Sequence, residues 1–371
     1  MNIKDLSMRE PLVCSLFFLF LLFNFDASAQ QRTYYNVLEQ KAVQGRVKEI
    51  NAEDYFARLP SFLKTSVRSA VWDLGQHSAG EYVEFTTDAD SIQVRYKVKG
   101  ALNMPHMPTI GVSGVDLYSR ETNKKSWDWA FGRYNFSDTI KYNFDNIGSN
   151  KARIYRLYLP LYNSVEWLEI GIHANDKIEF VKSQTAPIIV YGTSIAHGAC
   201  ASRPGMGWTN ILGREFPNEV INLGFSGNGR LEQPILDLMT NQNAAAYILD
   251  CIPNLALTKD RNANQLDSLI VNAVETIRAK HPSTPIILAG HSSAETAGFM
   301  NIHTMEEYGK SSQVAKATFD KLVRKGVKNL HFVSPQDFGL DVNSTVDYAH
   351  PNDFGMMKIA KAYEKVLKKI L

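Results

Sequence analysis

Two rhythms of apolar and polar residues divide the chain. In the first half the period is two. Ile92, Val94, Tyr96 and Val98 alternate with Gln93, Arg95 and Lys97, and Leu168, Ile170 and Ile172 alternate with Trp167, Glu169 and Gly171. Such alternation predicts strands with one buried face and one wet face. Residues 81–85 and 154–159 are further candidates, punctuated by turn-rich stretches such as Asp88-Ala89-Asp90 and Asn146-Ile147-Gly148. The helix of any length expected here covers 47–63. Many short strands between turn signals predict an antiparallel β-sandwich over 32–183.

From Ala186 onward the rhythm changes. Residues 187–191 read Pro-Ile-Ile-Val-Tyr, an unbroken apolar run suited to a parallel strand buried on both faces. Similar runs follow at 220–223, 245–249, 285–288 and 329–333. Helical stretches lie between them. Leu266, Ile270, Ala273, Val274 and Ile277 make one apolar face, and Met356, Ile359, Ala360, Tyr363 and Leu367 another. Gly326 stands where a C-terminal cap would stop the preceding helix. Strand and helix alternating in this way predict a doubly wound α/β domain over 184–371. The polar stretch 182–186 between the halves is short, so they are expected to pack together.

Residues 1–29 follow neither rhythm. Lys4 and Arg9 precede an apolar stretch over 12–25, and Ala27-Ser28-Ala29 offers a small-residue cleavage step. A membrane span needs about 20 apolar residues, so this stretch is read as a signal peptide, and the protein as exported. No stable membrane insertion is expected after its removal. Charge adds little: 40 Lys and Arg against 38 Asp and Glu, a net +2, offer no basic face for nucleic acid.

Open parallel sheets bind ligands beyond the carboxyl ends of their strands, so the residues there carry the functional reading. After the first parallel strand come Gly192-Thr193-Ser194, which place a serine hydroxyl at the top of the sheet where a helix opens. After the second comes Gly224-Phe-Ser-Gly-Asn-Gly229, a flexible loop able to turn an N–H into the same space. After the third, Asp250-Cys-Ile-Pro-Asn254 brings a carboxamide. Before the last helix lies Asp347-Tyr-Ala-His350, spaced so that the carboxylate can orient the imidazole. Ser226 is a rival nucleophile without a base motif. His197 and His291 lie at strand ends without a triad-like acid. Asp353 reads as the cap of the final helix. The glycines of 224–229 spell neither a dinucleotide nor a Walker motif, and the histidines lack metal spacing, so neither cofactor nor metal is predicted.

Together these blocks resemble the SGNH (GDSL-type) serine hydrolases, with G-T-S in place of the usual G-D-S and D-C-I-P-N in place of G-x-N-D. Gly114-Val-Asp-Leu-Tyr118 is similar to the G-x-D-L-Y hallmark of a β domain that precedes some bacterial members. The resemblance implies a flavodoxin-like sheet with Ser194 as nucleophile, His350 as base and Asp347 as its orienting acid. It implies an oxyanion hole made by Ser194, Gly224 and Asn254. Arg203 and Trp208, in the loop after the nucleophile, are candidate substrate contacts, Arg203 for an anionic or hydroxyl-rich group. Cys200 and Cys251 follow the first and third strands, neighbours in a flavodoxin-like order, and either pair as a disulfide or stay free. Of the tryptophans, Trp127 and Trp129 form the expected exposed pair, and sandwich aromatics can stack on sugar rings. The implied activity is hydrolysis of short acyl esters, acetyl first, most naturally on carbohydrate. The alternatives are phospholipid or small soluble esters, or a glycan-binding protein with a vestigial hydrolase site.

Overall fold

A computed structural model of the chain describes residues 31–148, 152–293, 298–300 and 302–371. The expected signal peptide lies outside them. The first half builds β1 (Arg32–Asn36), β2 (Val43–Gln44), β3 (Tyr82–Thr87), β4 (Ser91–Val98), β5 (Asp116–Glu121) and β6 (Asp128–Ala130). It continues with β7 (Arg133–Asn135), β8 (Ile140–Asp145), β9 (Arg153–Tyr158), β10 (Val165–His173) and β11 (Ile178–Val181). These pair antiparallel into two sheets, ordered β1-β10-β4-β8-β7 and β11-β3-β9-β5-β6, with β2 beside β3. The period-two residues of β4 and β10, Ile92, Val94, Tyr96, Leu168, Ile170 and Ile172, turn inward and share one core with Val83, Phe85, Leu117 and Leu157 from the facing sheet.

The helix expected over 47–63 does not form. That stretch holds two single 3-10 turns, Ala52–Asp54 and Ser61–Leu63, in otherwise irregular chain. Asp54 competes with helix formation by accepting from the Asn51 and Ser61 N–H groups, each at 2.8 Å, and Pro60 interrupts the run. Two short helices, α1 (Ser69–Gly75) and α2 (Thr109–Val112), lie elsewhere in this half.

The second half holds five parallel strands, β12 (Ile188–Gly192), β13 (Val220–Gly224), β14 (Ala246–Asp250), β15 (Ile286–Ala289) and β16 (Leu330–Val333). Their order, β13-β12-β14-β15-β16, is the flavodoxin-like one. The helices are α3 (Ser194–His197), α4 (Trp208–Glu215), α5 (Gln233–Thr240), α6 (Ala263–Lys280), α7 (Ile302–Arg324), α8 (Pro335–Phe338) and α9 (Asp353–Ile370). Ile189 and Tyr191 face a core that includes α5 and α6, whereas Ile188 and Val190 face one that includes α4 and α9. Both faces of β12 are thereby covered, which is why its sequence is apolar without alternation. None of the described helices is long and apolar enough to cross a membrane.

The sandwich and the α/β layers form one compact unit over Arg32–Leu371. Their interface is partly apolar, with Leu59, Val71, Val112 and Leu161 of the first half packed in the cores of the parallel sheet, and partly polar. Arg156 on β9, paired with Glu84 at 2.7 Å, donates to the Gly213 carbonyl of α4 at 2.7 Å, and the Tyr158 hydroxyl donates to the Asn210 carbonyl at 3.1 Å. Among the described residues the thiols of Cys200 and Cys251 are free. Cys200 packs in the core under α4 and α9 and Cys251 in the core on the other side of the sheet, so a disulfide would have to cross the sheet.

Candidate active site

The nucleophile position is set by the exit of β12. Thr193 has extended backbone, its hydroxyl accepts the Ile195 N–H at 3.3 Å, and α3 starts on Ser194. The loop after β13 presses against this exit. A Cβ on Gly229 would lie 1.9 Å from the Gly192 carbonyl oxygen, so only glycine permits the approach. Ser194 is buried except for its access to the imidazole, its Oγ lying 2.8 Å from His350 Nε2.

His350 comes from the turn that precedes α9. The Val346 N–H donates to the His350 carbonyl at 2.9 Å and the Asn352 N–H to the Ser344 carbonyl at 3.0 Å, closing the turn, and Tyr348 takes a left-handed φ of 54°. Asp347 Oδ2 lies 2.7 Å from His350 Nδ1, while its Oδ1 accepts the His350 N–H at 2.7 Å and the Ala349 N–H at 3.2 Å. Partial burial works against the Asp347 charge, but the hydrogen bonds from His350 prevail and hold the carboxyl below its ordinary range. With Asp347 accepting, the proton sits on Nδ1 and Nε2 is left to accept from Ser194. The cap of α9 is Asn352, which accepts the Gly355 N–H. Asp353 instead accepts from the Ser202 N–H at 2.8 Å and hydroxyl at 2.5 Å, tying the loop after α3 to the start of α9.

Gly224 does not serve the oxyanion role expected of it. Its N–H donates to Asn222 Oδ1 at 2.8 Å, and the residue is buried against the backbone of Ala196 and His197. Three residues on, Gly227 has a φ of 69°, is exposed, and its N–H has no protein acceptor among the described residues; the same holds for the Ser194 N–H. The Asn228 and Gly229 N–H groups, at 3.0 and 3.1 Å, assign the near atom of the Asn254 carboxamide as its oxygen, which anchors it on this loop and leaves its amino group to donate elsewhere. The Ser-Gly-Asn run at 226–228 is a turn signal that marks where the chain reverses, but it does not say which N–H faces outward.

The other polar candidates are held in structural roles. His197 is fully buried, stacked on Tyr162 at 4.1 Å, with Nε2 2.8 Å from the Leu161 carbonyl. His291 stacks on Tyr308 at 3.7 Å, and its Nδ1 accepts the Ser293 N–H at 3.1 Å. Burial, reinforced by His350, pushes its imidazole down to about 3, so it stays neutral. Among the described residues no imidazole hydrogen-bonds Ser226.

Neither expected substrate contact is free. Trp208 is wholly buried, stacked on Tyr363 at 4.6 Å between α4 and α9, because its apolar bulk fills the core where the loop re-enters. Arg203 donates to Asp116 Oδ2 at 2.6 Å and to the Tyr118 hydroxyl at 2.5 Å, so its charge is matched by the Gly114–Tyr118 motif of the sandwich. Trp127 is half-buried and donates to the Arg214 carbonyl at 3.1 Å, whereas Trp129 is exposed.

Comparison with known proteins agrees with this architecture. The family model for GDSL-like lipases and acylhydrolases matches residues 185–368, and that for the GxDLY N-terminus of SGNH-hydrolase-type esterases matches residues 32–178. A protein of Bacteroides ovatus described as a GDSL-like lipase is 31% identical, with a TM-score of 0.81 over 92% of this chain and 98% of its own. A salicylyl-acyltransferase from a tetracycline biosynthetic pathway is 18% identical, with a TM-score of 0.66 over 91% and 94%. A family two carbohydrate esterase from Clostridium thermocellum, in complex with cellohexaose, is 13% identical, with a TM-score of 0.51 over 78% and 92%. No curated protein matches the chain in sequence.

Proposed function

Since the chain belongs to the GDSL-like lipase/acylhydrolase family of SGNH hydrolases, we propose that it is an exported serine esterase that removes short acyl groups, acetyl first, from carbohydrate. The observation that carries this reading is the unbroken line of hydrogen bonds from Ser194 Oγ through His350 to Asp347, 2.8 and 2.7 Å. Along that line His350 Nε2 takes the hydroxyl proton as Ser194 Oγ attacks the ester carbonyl. Asp347 fixes the tautomer and stabilises the imidazolium. The oxyanion forms against the N–H groups of Ser194 and Gly227 and the amino group of Asn254. His350 then returns its proton to the departing alcohol, and water repeats the cycle on the acyl-enzyme. The carbohydrate assignment draws support from the glycan esterases that share this fold, and the export assignment from the apolar stretch and Ala27-Ser28-Ala29.

The experiment is labelling with a fluorophosphonate probe, with hydrolysis of p-nitrophenyl acetate and butyrate followed in parallel. Labelling on Ser194 and a preference for acetate are expected. Ser194→Ala should abolish both labelling and turnover, and Asn254→Ala should lower kcat by about 10²–10³-fold with the fold intact. Full activity in Ser194→Ala would overturn the mechanism.

A further inference from the structure

Three large aromatic side chains stand in water on one rim of the sandwich. Trp129 is 47% exposed, Phe131 63% and Tyr134 48%. They line a cleft of about 290 Å³ whose walls also include Asp116, Ser202 and Arg203. Isolated surface aromatics need no explanation, but Trp129 is held in place. Its indole N–H donates to Asp116 Oδ1 at 2.6 Å, the Arg203 guanidinium lies 4.4 Å from the centre of its ring, and Phe131 meets it edge-on at 6.2 Å. Asp116 is itself buried and accepts on its other oxygen from Arg203 and from the Gly205 N–H at 2.9 Å. A buried carboxylate and a guanidinium thus fix the orientation of a half-exposed ring. That ring gains little burial in return, so folding alone gives no reason for the arrangement. A pre-oriented aromatic surface loses little entropy when something stacks on it.

The geometry points to a sugar-ring subsite in this cleft, in which the apolar face of a pyranose stacks on Trp129 and Phe131 while its hydroxyls meet the polar wall. The cleft is at the small end of ligand pockets, the scale of one or two sugar rings. Arg203 is neutralised by Asp116, so it offers no free cation for a phosphate headgroup. The cleft borders the chain segment that leaves the reaction centre. Ser202 and Arg203 belong to the loop that follows Ser194 and α3, and Ser202 is bonded to Asp353, three residues past His350. The subsite is thereby coupled through Ser202 and Asp353 to the loop and turn that carry Ser194 and His350, and it deepens the carbohydrate-ester reading on which it rests.

The test compares two substrates in the mature enzyme. Trp129→Ala and, separately, Phe131→Ala should lower kcat/KM on an acetylated xylo- or cello-oligosaccharide at least about ten-fold more than on p-nitrophenyl acetate, with the loss in KM. Phe131 has no part in the Asp116 cluster, so its variant guards against a folding defect in the other. Equal losses on both substrates, or none on either, overturn the subsite. If the wild type cleaves p-nitrophenyl acetate but no acetylated oligosaccharide, the carbohydrate-ester reading fails. The subsite is then judged by titrating Ser194→Ala with xylohexaose and cellohexaose. Binding lost in the additional Trp129→Ala variant supports it, and no binding overturns it.

Discussion

Arg58 gives the most demanding check on how the sandwich side of the molecule supports the reaction centre. It lies in the irregular stretch before α1, is 1% exposed, and spends its guanidinium on main-chain carbonyls. It donates to His77 O at 2.8 Å, Leu74 O at 2.6 Å, Asn222 O at 3.1 Å and Gly224 O at 2.8 Å. The last two belong to β13, the outermost strand of the parallel sheet, and Gly224 opens the loop that carries Gly227. Arg58→Met keeps much of the bulk and strands the His77, Asn222 and Gly224 carbonyls, whereas Leu74 O still accepts the His77 N–H at 3.2 Å. At about 1–3 kcal/mol for each unsatisfied buried group, three would cost about 3–9 kcal/mol. Against that, removing the cation returns its desolvation cost, which already pulls its pKa down to about 10 and amounts to several kcal/mol. The net expectation is a loss of about 2–4 kcal/mol, and at about 1.4 °C per kcal/mol for a unit as large as Arg32–Leu371 a fall in Tm of roughly 3–6 °C. Calorimetric unfolding measures the first quantity. Turnover of p-nitrophenyl acetate below the new Tm should show kcat reduced more than KM is raised. Arg58→Lys, with three donors instead of five, should fall between. A stability loss under about 1 kcal/mol in Arg58→Met would refute the reasoning.

Two further outcomes follow from buried groups. Glu81 is fully buried with neither carboxyl oxygen hydrogen-bonded, and burial, opposed by Arg46 and Arg58, pushes its pKa up to about 8. A carboxyl held protonated in the fold releases its proton on unfolding, so stability should fall as pH rises from about 4.3 toward 8 and then level off. Tm curves of the wild type and Glu81→Gln should therefore diverge between pH 5 and 8, and parallel curves would contradict the assignment. Alkylation with iodoacetamide after denaturation, without reductant, should modify both Cys200 and Cys251, and an unmodified pair released only by reduction would show a disulfide.

Much of the architecture is legible in the one-dimensional pattern because its causes are local or periodic. Ile188 to Tyr191 are apolar on both parities since helices cover both faces, and β4 and β10 alternate since only one face meets a core. The Ser194, Asp347 and His350 positions are legible because a strand end and a tight turn dictate them. What was illegible depends on contacts between distant residues or on the direction of single N–H groups. Arg203 looked free because its partner Asp116 lies 87 residues away. Trp208 looked like a loop residue because Tyr363, which stacks on it, belongs to the last helix. Gly224 and Gly227 differ in sequence only by position, and the carboxamide of Asn222 decides which N–H is spent. The missing helix over 47–63 had a usable signal in Asp54 and Pro60, which the apolar pattern alone outweighed.

The bonds from the sandwich to Gly205, Asn210 and Gly213 set a limit on how this enzyme can be recombined. The loop between α3 and α4 is fixed to the other layer by Asp116, and α4 itself by Arg156 and Tyr158. A hybrid that grafts residues 184–371 onto an unrelated β domain would retain every reacting group and lose the template that sets this loop. Variation in substrate choice is therefore expected to arise by changing the two layers together, residue against residue, rather than by exchanging one of them whole.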